Sequence, residues 1–204
     1  MEFLDIYDEN GMHIGTALRS EVHQQGLWHH TFHCWIMTKE KEKNYLLFQI
    51  RQRDKDLFPS LLDISAAGHI LAGESIVNSS REIEEELGIV VPYNDLKHIG
   101  VIREKLAGDN FLDYEFCNVF LHVTNFKLND FIIQEEELSG LVKIELTEII
   151  NLFLGNLDYV HAEGFKQLDG KRASIDIQVK KEEFVPHQLD YYLKVFKEAE
   201  RLIR

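Results

Sequence analysis

Residues 2–7 alternate apolar and acidic side chains, the polar run Asp8-Glu9-Asn10-Gly11 follows, and a second apolar stretch covers Ile14 to Leu18. Alternation on both sides of a turn that ends in glycine predicts an N-terminal β-hairpin. Further strand patterns run from Thr31 to Met37 and from Tyr45 to Ile50, separated by a lysine- and glutamate-rich loop at 39–44. Leu61 to Ala67 leads into a glycine-containing loop, and a helix is predicted from about Ser75 to Leu87. Gly88 suits its C-terminal cap, and Pro92 prevents its continuation. Strands are expected over Ile99 to Leu106 and Phe111 to Val123, with Gly108-Asp109-Asn110 as the turn, and over Leu141 to Leu146. A short helix follows from Thr147 to about Leu154. Beyond Pro186, apolar residues at Leu189, Tyr192, Leu193, Phe196, Leu202 and Ile203 have helical spacing, so a C-terminal helix closes the chain. Residues 155–183 are the least readable region. The mixture of strands and helices predicts an α/β layered domain. We take residues 1–204 as one domain, with a core of about 28–155, the hairpin region 1–27 and a C-terminal extension 156–204.

Composition narrows the function classes. An apolar share of 45% is ordinary for a chain that buries a core. The net charge of -13 argues against a nucleic-acid polymer as partner, because a phosphate backbone selects a basic surface. A phosphorylated small molecule stays open, since bound metal ions reverse the local sign. Cys34 and Cys117 lack metal-ligand spacing and read as buried free thiols of a reducing compartment. The N-terminus lacks the features of a signal peptide, and no apolar run is long enough to span a bilayer, so a cytoplasmic location without membrane contact is expected.

The segment from Gly68 to Ile89 carries the chemistry. Glu82, Glu85 and Glu86 stand at i, i+3 and i+4, so a helix would place their carboxylates on one face. A glutamate run alone would read as a solvated face. Like charges at this spacing destabilise a helix unless something positive sits among them, and hard divalent cations favour oxygen ligands. Gly68, Glu74, Arg81, Glu82, Ile83, Glu85, Glu86, Gly88 and Ile89 together resemble the signature of the Nudix hydrolases. That pattern is Gly, five residues, Glu, seven residues, Arg-Glu, aliphatic, any residue, Glu-Glu, any residue, Gly, aliphatic. One spacing departs: six residues separate Glu74 from Arg81. Inside a helix a missing residue rotates one end against the other by roughly 100°. We expect the helix to begin later, which absorbs the deletion and leaves the metal face intact.

The resemblance implies an α/β/α sandwich with a mixed sheet. It also implies an enzyme that hydrolyses a nucleoside diphosphate linked to a second group with Mg2+ or Mn2+ as cofactor. On its terms Glu82, Glu85 and Glu86 hold the metal, a carbonyl of the Ala67-Gly68 turn adds a ligand, and Arg81 orients the glutamates. The general base is Glu115, or alternatively Glu85.

The flanks resemble the isopentenyl-diphosphate-isomerase-like branch of the same superfamily. The resemblance rests on Val22-His23, Gly26-Leu27-Trp28-His29-His30, Trp35-Ile36, Leu62 to His69, Asp113-Tyr114-Glu115-Phe116-Cys117 and Gln134 to Val142. It implies a second site, for a metal or for phosphate contact, at His23, His29 and His69 with Asp113 and Glu115. The catalytic cysteine of the isomerases is replaced by Ala67, which cannot transfer a proton to carbon. An isomerase and a non-catalytic nucleotide-binding module remain the alternative readings. Substrate contacts are open: Trp28, Phe32, Trp35 and Phe111 are candidates for stacking a base, although strand aromatics are more often core. Arg51, Arg53, Lys55, Arg103 and Lys105 are candidates for phosphates. The C-terminal helix could serve the domain core or a homodimer contact.

Overall fold

The computed structural model describes residues 2–55, 57–108 and 111–203. Its centre is the long strand β3 (Trp28–Glu40), which follows a hairpin of β1 (Phe3–Tyr7) and β2 (His13–Leu18) and helix α1 (Arg19–Gln25). After β3 come β4 (Lys43–Arg51), β5 (Leu62–Asp63), β6 (Ala66–His69), helix α2 (Arg81–Leu87), β7 (Lys97–Gly108) and β8 (Phe111–Thr124). The chain ends with β9 (Leu138–Glu145), α3 (Leu146–Phe153), β10 (Val160–Leu168), β11 (Lys171–Val179) and α4 (Leu189–Leu202).

One edge of β3 pairs antiparallel with β1, β6 and β4 in turn, and the other pairs in parallel with β8. The sheet is therefore mixed, as expected. Its registers matter for the site: His29 lies beside Glu115, and Thr31 lies between His69 and Cys117. Successive strand residues face opposite sides. Phe32, Cys34 and Ile36 accordingly enter one core with Ile83 and Leu87 of α2, while Trp35 and Met37 enter another with Phe153, Tyr192 and Phe196 of α3 and α4. Helices cover both sheet faces, which is the α/β/α sandwich.

Helix α4 buries Tyr191, Tyr192, Val195, Phe196 and Ala199, and Leu189 and Ile203 are exposed. The apolar stripe thus runs one notch away from the one the sequence predicted, and it packs on this chain, with Phe153 centred 4.3 Å from the Tyr192 ring. Each such fully buried aromatic contributes roughly 1.5–3 kcal/mol.

Three elements differ from expectation. The predicted helix from Ser75 is shorter: a 3₁₀ turn at Asn78–Ser80 precedes it, and α2 begins at Arg81. Helix α1 was not predicted, because Val22 is the sole apolar residue among its seven and no period arises. The hairpin β10–β11 fills the least readable region; Gly164 interrupts the alternation of β10, and β11 is an edge strand in which Val179 alone is buried. Of the predicted turn 108–110, Asp109 and Asn110 lie outside the described residues. Among the described residues no helix is long and apolar enough to cross a membrane.

Candidate active site

A cavity of about 350 Å³ opens between α2, β6 and the β7–β8 ladder, and both predicted clusters line it. Strand β6 separates them. The Gly68 position faces α2, where a Cβ would fall on the Glu82 carboxylate. Only glycine lets that carboxylate lie against the strand. Its neighbours Ala67 and His69 face the other way.

On the α2 side, Arg81 is the hub. Its Nε and Nη2 donate to the two Glu74 oxygens at 2.9 and 3.2 Å, its Nη1 meets Glu82 and Glu85 each at 2.7 Å, and Nη2 also donates to the His69 carbonyl at 3.4 Å. Glu74 therefore reaches Arg81 despite the short spacing. The late start of α2 leaves Glu74 in the loop, where its own carboxylate also accepts the Leu71 N–H, at 2.9 Å. Arg81 stays firmly protonated: burial opposes its charge, and the Glu74, Glu82 and Glu85 carboxylates outweigh that.

Glu86 is buried, and its Oε2 accepts the Ala67 N–H at 3.0 Å. Burial pushes its pKa well above the carboxylate range, with one backbone donor too weak to offset it. Burial likewise pushes Glu82 up to about 7, against the pull of Arg81. Two desolvated carboxylates on one wall have the donor chemistry of a hard-cation site. Glu85 is half-exposed at the cavity mouth.

On the other side of β6, His23 comes from α1, His29 from β3, His69 from β6 and Asp113 from β8, with donor atoms all within 4.8 Å of one another. His69 Nε2 lies 3.2 Å from His23 Nε2, and Asp113 Oδ1 is 3.4 Å from both His23 Nε2 and His29 Nε2. Tetrahedral ligands at zinc-like bond lengths stand about 3.4 Å apart, so the spacing fits an ion at the centre. His29 Nε2 and Asp113 Oδ1 are buried without a hydrogen-bond partner among the described residues. Burial disfavours protonated His29, yet the Asp113 and Glu115 carboxylates raise its pKa above the usual value. Burial holds His69 well below it, in the neutral form a ligand needs. Asp113, although buried, is kept far below the ordinary carboxylate range by His23 and His29. Glu115 adjoins the cluster, 4.0 Å from His29, and is 3.4 Å from His33.

The remaining candidates separate cleanly. Arg51 and Lys55 line the cavity. Arg103 and Lys105 lie over the Trp28, Phe116 and Tyr114 rings instead, which occupies them as cation–π partners. Phe32 and Trp35 are core, whereas Phe111 lines the cavity and stacks on His23 at 4.2 Å. Both cysteines are free and buried, and the Cys117 thiol donates to Glu115 Oε2 at 3.3 Å. Sequence reading missed Arg19, Asp63, Glu137 and His187 among the lining residues. For Glu137 the glutamate run 135–137 was a signal; for the others no local pattern existed.

A carboxylate helix on one flank of a sheet, a glycine under it and a cavity between them bring acidic groups to one wall of a cleft. The NUDIX domain family matches residues 27–170. An uncharacterised Nudix hydrolase of Clostridium acetobutylicum is 42% identical over 94% of this chain and 93% of its own. An isopentenyl-diphosphate Delta-isomerase of Photorhabdus laumondii is 26% identical over 87% of this chain and 96% of its own. Among solved structures, a MutT/nudix family protein from Enterococcus faecalis shares the fold, with a TM-score of 0.57 and 13% identity over 84% of this chain and 62% of that one. The chain belongs to the Nudix family, in its isomerase-like branch, and is a pyrophosphohydrolase.

Proposed function

We propose that this enzyme is a divalent-metal-dependent hydrolase that cleaves the phosphoanhydride of a nucleoside diphosphate linked to a second group, by attack of water on phosphorus. The observation that carries the reading is the pair of buried carboxylates, Glu82 and Glu86, gathered beside Gly68, where burial raises both pKa values even with Arg81 against Glu82. Glu82, Glu85 and Glu86, with a carbonyl of the Ala67-Gly68 turn, would hold Mg2+ or Mn2+. His23, His29, His69 and Asp113 would hold a second ion, and their nitrogen-rich set favours a transition metal over Mg2+. Bound cations would neutralise phosphate charge and ease deprotonation of the attacking water.

The chain's own residues do the rest. Arg81 fixes Glu74, Glu82 and Glu85 in one plane of contacts, a task suited to a rigid fork. Arg51 and Lys55 receive phosphate oxygens from the opposite wall. Glu115, gripped between His29 and His33, takes the proton from water, with Glu85 as the alternative acceptor.

The test is a panel of nucleoside diphosphate derivatives incubated with Mg2+ or Mn2+, with products identified. Release of a nucleoside monophosphate is expected from at least one member. No turnover with either metal, together with tight binding of the same compounds, would favour a binding module instead.

A further inference from the structure

Away from both metal clusters, four charged side chains form a buried line at the cavity wall. The Glu104 carboxylate, on β7, bonds His187 Nδ1, and its other oxygen accepts the Gln188 N–H at 2.9 Å, at the start of α4. His187 Nε2 donates to Asp63 Oδ1 at 3.0 Å. Asp63 Oδ2 accepts from Arg51 Nη1 at 2.7 Å. Arg51 is held at its other side by the Leu57 carbonyl, which accepts from Nε at 3.1 Å and from Nη2 at 2.9 Å.

A guanidinium has five N–H groups. Three of those on Arg51 are engaged, which leaves one on Nη1 and one on Nη2 without a partner among the described residues. Free N–H groups on a guanidinium are donors that phosphate oxygens accept. Arg51, Asp63 and His187 all line the cavity. Burial opposes a charge on His187, but Asp63 and Glu104 raise its pKa to about 10. The line therefore alternates positive and negative charges and sums to zero. Neutralising His187 would leave a net negative wall facing an anionic substrate and free one oxygen of Asp63 from its grip.

We propose that His187 is a positioning residue for substrate: by holding Asp63 it fixes the Arg51 guanidinium with two N–H groups ready for a phosphate, so the segment leading into α4 is part of the anion-binding wall. This rests on the reading of the cavity as a diphosphate site.

The probe is inorganic pyrophosphate with Mg2+, followed by calorimetry on the full chain, with melting temperature as the check on folding. His187→Gln should weaken binding about tenfold in the wild-type background, a loss on the scale of one charged hydrogen bond. In the Arg51→Ala background the same substitution should cost about twofold or less, because residues acting through one partner are not additive. Equal losses in both backgrounds overturn the positioning role. No pyrophosphate binding by the unaltered protein overturns the diphosphate-site reading itself, which separates the two failures. Should His187→Gln not fold, NMR of the intact protein decides: pyrophosphate must shift the Arg51 Nε–H and His187 ring nitrogen signals along one binding curve, and a fixed His187 signal refutes the proposal.

Discussion

The two faces of β6 solve the same problem with opposite chemistry. On the Gly68 face, one short helix supplies Glu82, Glu85 and Glu86, the loop before it supplies Glu74, and a single cation, Arg81, holds three of the four. On the His69 face, four candidate ligands come from four separate elements: sheet register gathers His29, His69 and Asp113, and helix α1 adds His23. Oxygen donors with pKa values pushed up by burial await a hard ion; a cluster of imidazoles around one carboxylate suits a softer one. The lesson is about reach: a helix can build a site from local sequence, whereas the other face joins residues 46 positions apart, as His23 of α1 and His69 of β6 are.

The largest expected effect breaks the first face. Glu86→Gln keeps the Ala67 hydrogen bond but removes the charge, and kcat should fall by about 10³-fold, the scale of losing metal-ion stabilisation. Because burial already disfavours the Glu86 charge, the melting temperature should hold or rise. Steady-state kinetics and calorimetry check both halves. Gly68→Ala comes next: the methyl group would displace Glu82, so stability should fall by about 1–3 kcal/mol and activity with it.

His29→Ala sharpens the comparison from the other side. Elemental analysis after exposure to Mn2+ should show one ion fewer per chain than in the unaltered protein, with Mg2+ affinity of the Gly68 face retained. Equal metal content would remove the second face from the account. Arg81→Lys should lower activity about tenfold or more while binding persists, since a point charge cannot bridge three carboxylates as a planar fork does.

These effects track how legible each part was. The carboxylate face was readable because its residues are contiguous and one spacing rule relates them. Its short link was resolved by physics local to the loop: the 3₁₀ turn delays α2, so Glu74 approaches from outside the helix. The histidine face was readable only by resemblance, because ten histidines in one chain carry no spacing rule across strands. Helix α1, which delivers His23, has one apolar residue and left no period to detect. Asp63, Glu104 and His187 are 124 residues apart at the extremes and reveal themselves only once the fold brings them together. In β11, Ala173, Ile175, Ile177 and Val179 do alternate with polar residues, and this strand signal was overlooked in the sequence.

A further effect concerns stability. His187 has its pKa raised to about 10 in the folded chain, against about 6.5 when unfolded. A raised histidine contributes stability that is full below the unfolded value and is lost as pH rises through the folded one. The denaturant midpoint should therefore decline between about pH 7 and pH 10, and His187→Gln should flatten that slope relative to the unaltered protein. An unchanged slope would remove the buried charge from His187.

The central claim is that one strand divides two metal sites of different chemistry. A crystal grown with Mn2+ and measured at the manganese absorption edge tests it directly. The account predicts two anomalous peaks across β6, one against Glu82 and Glu86 and one among His23, His29, His69 and Asp113. Absence of a peak at either position, with Mn2+ in excess, would contradict it.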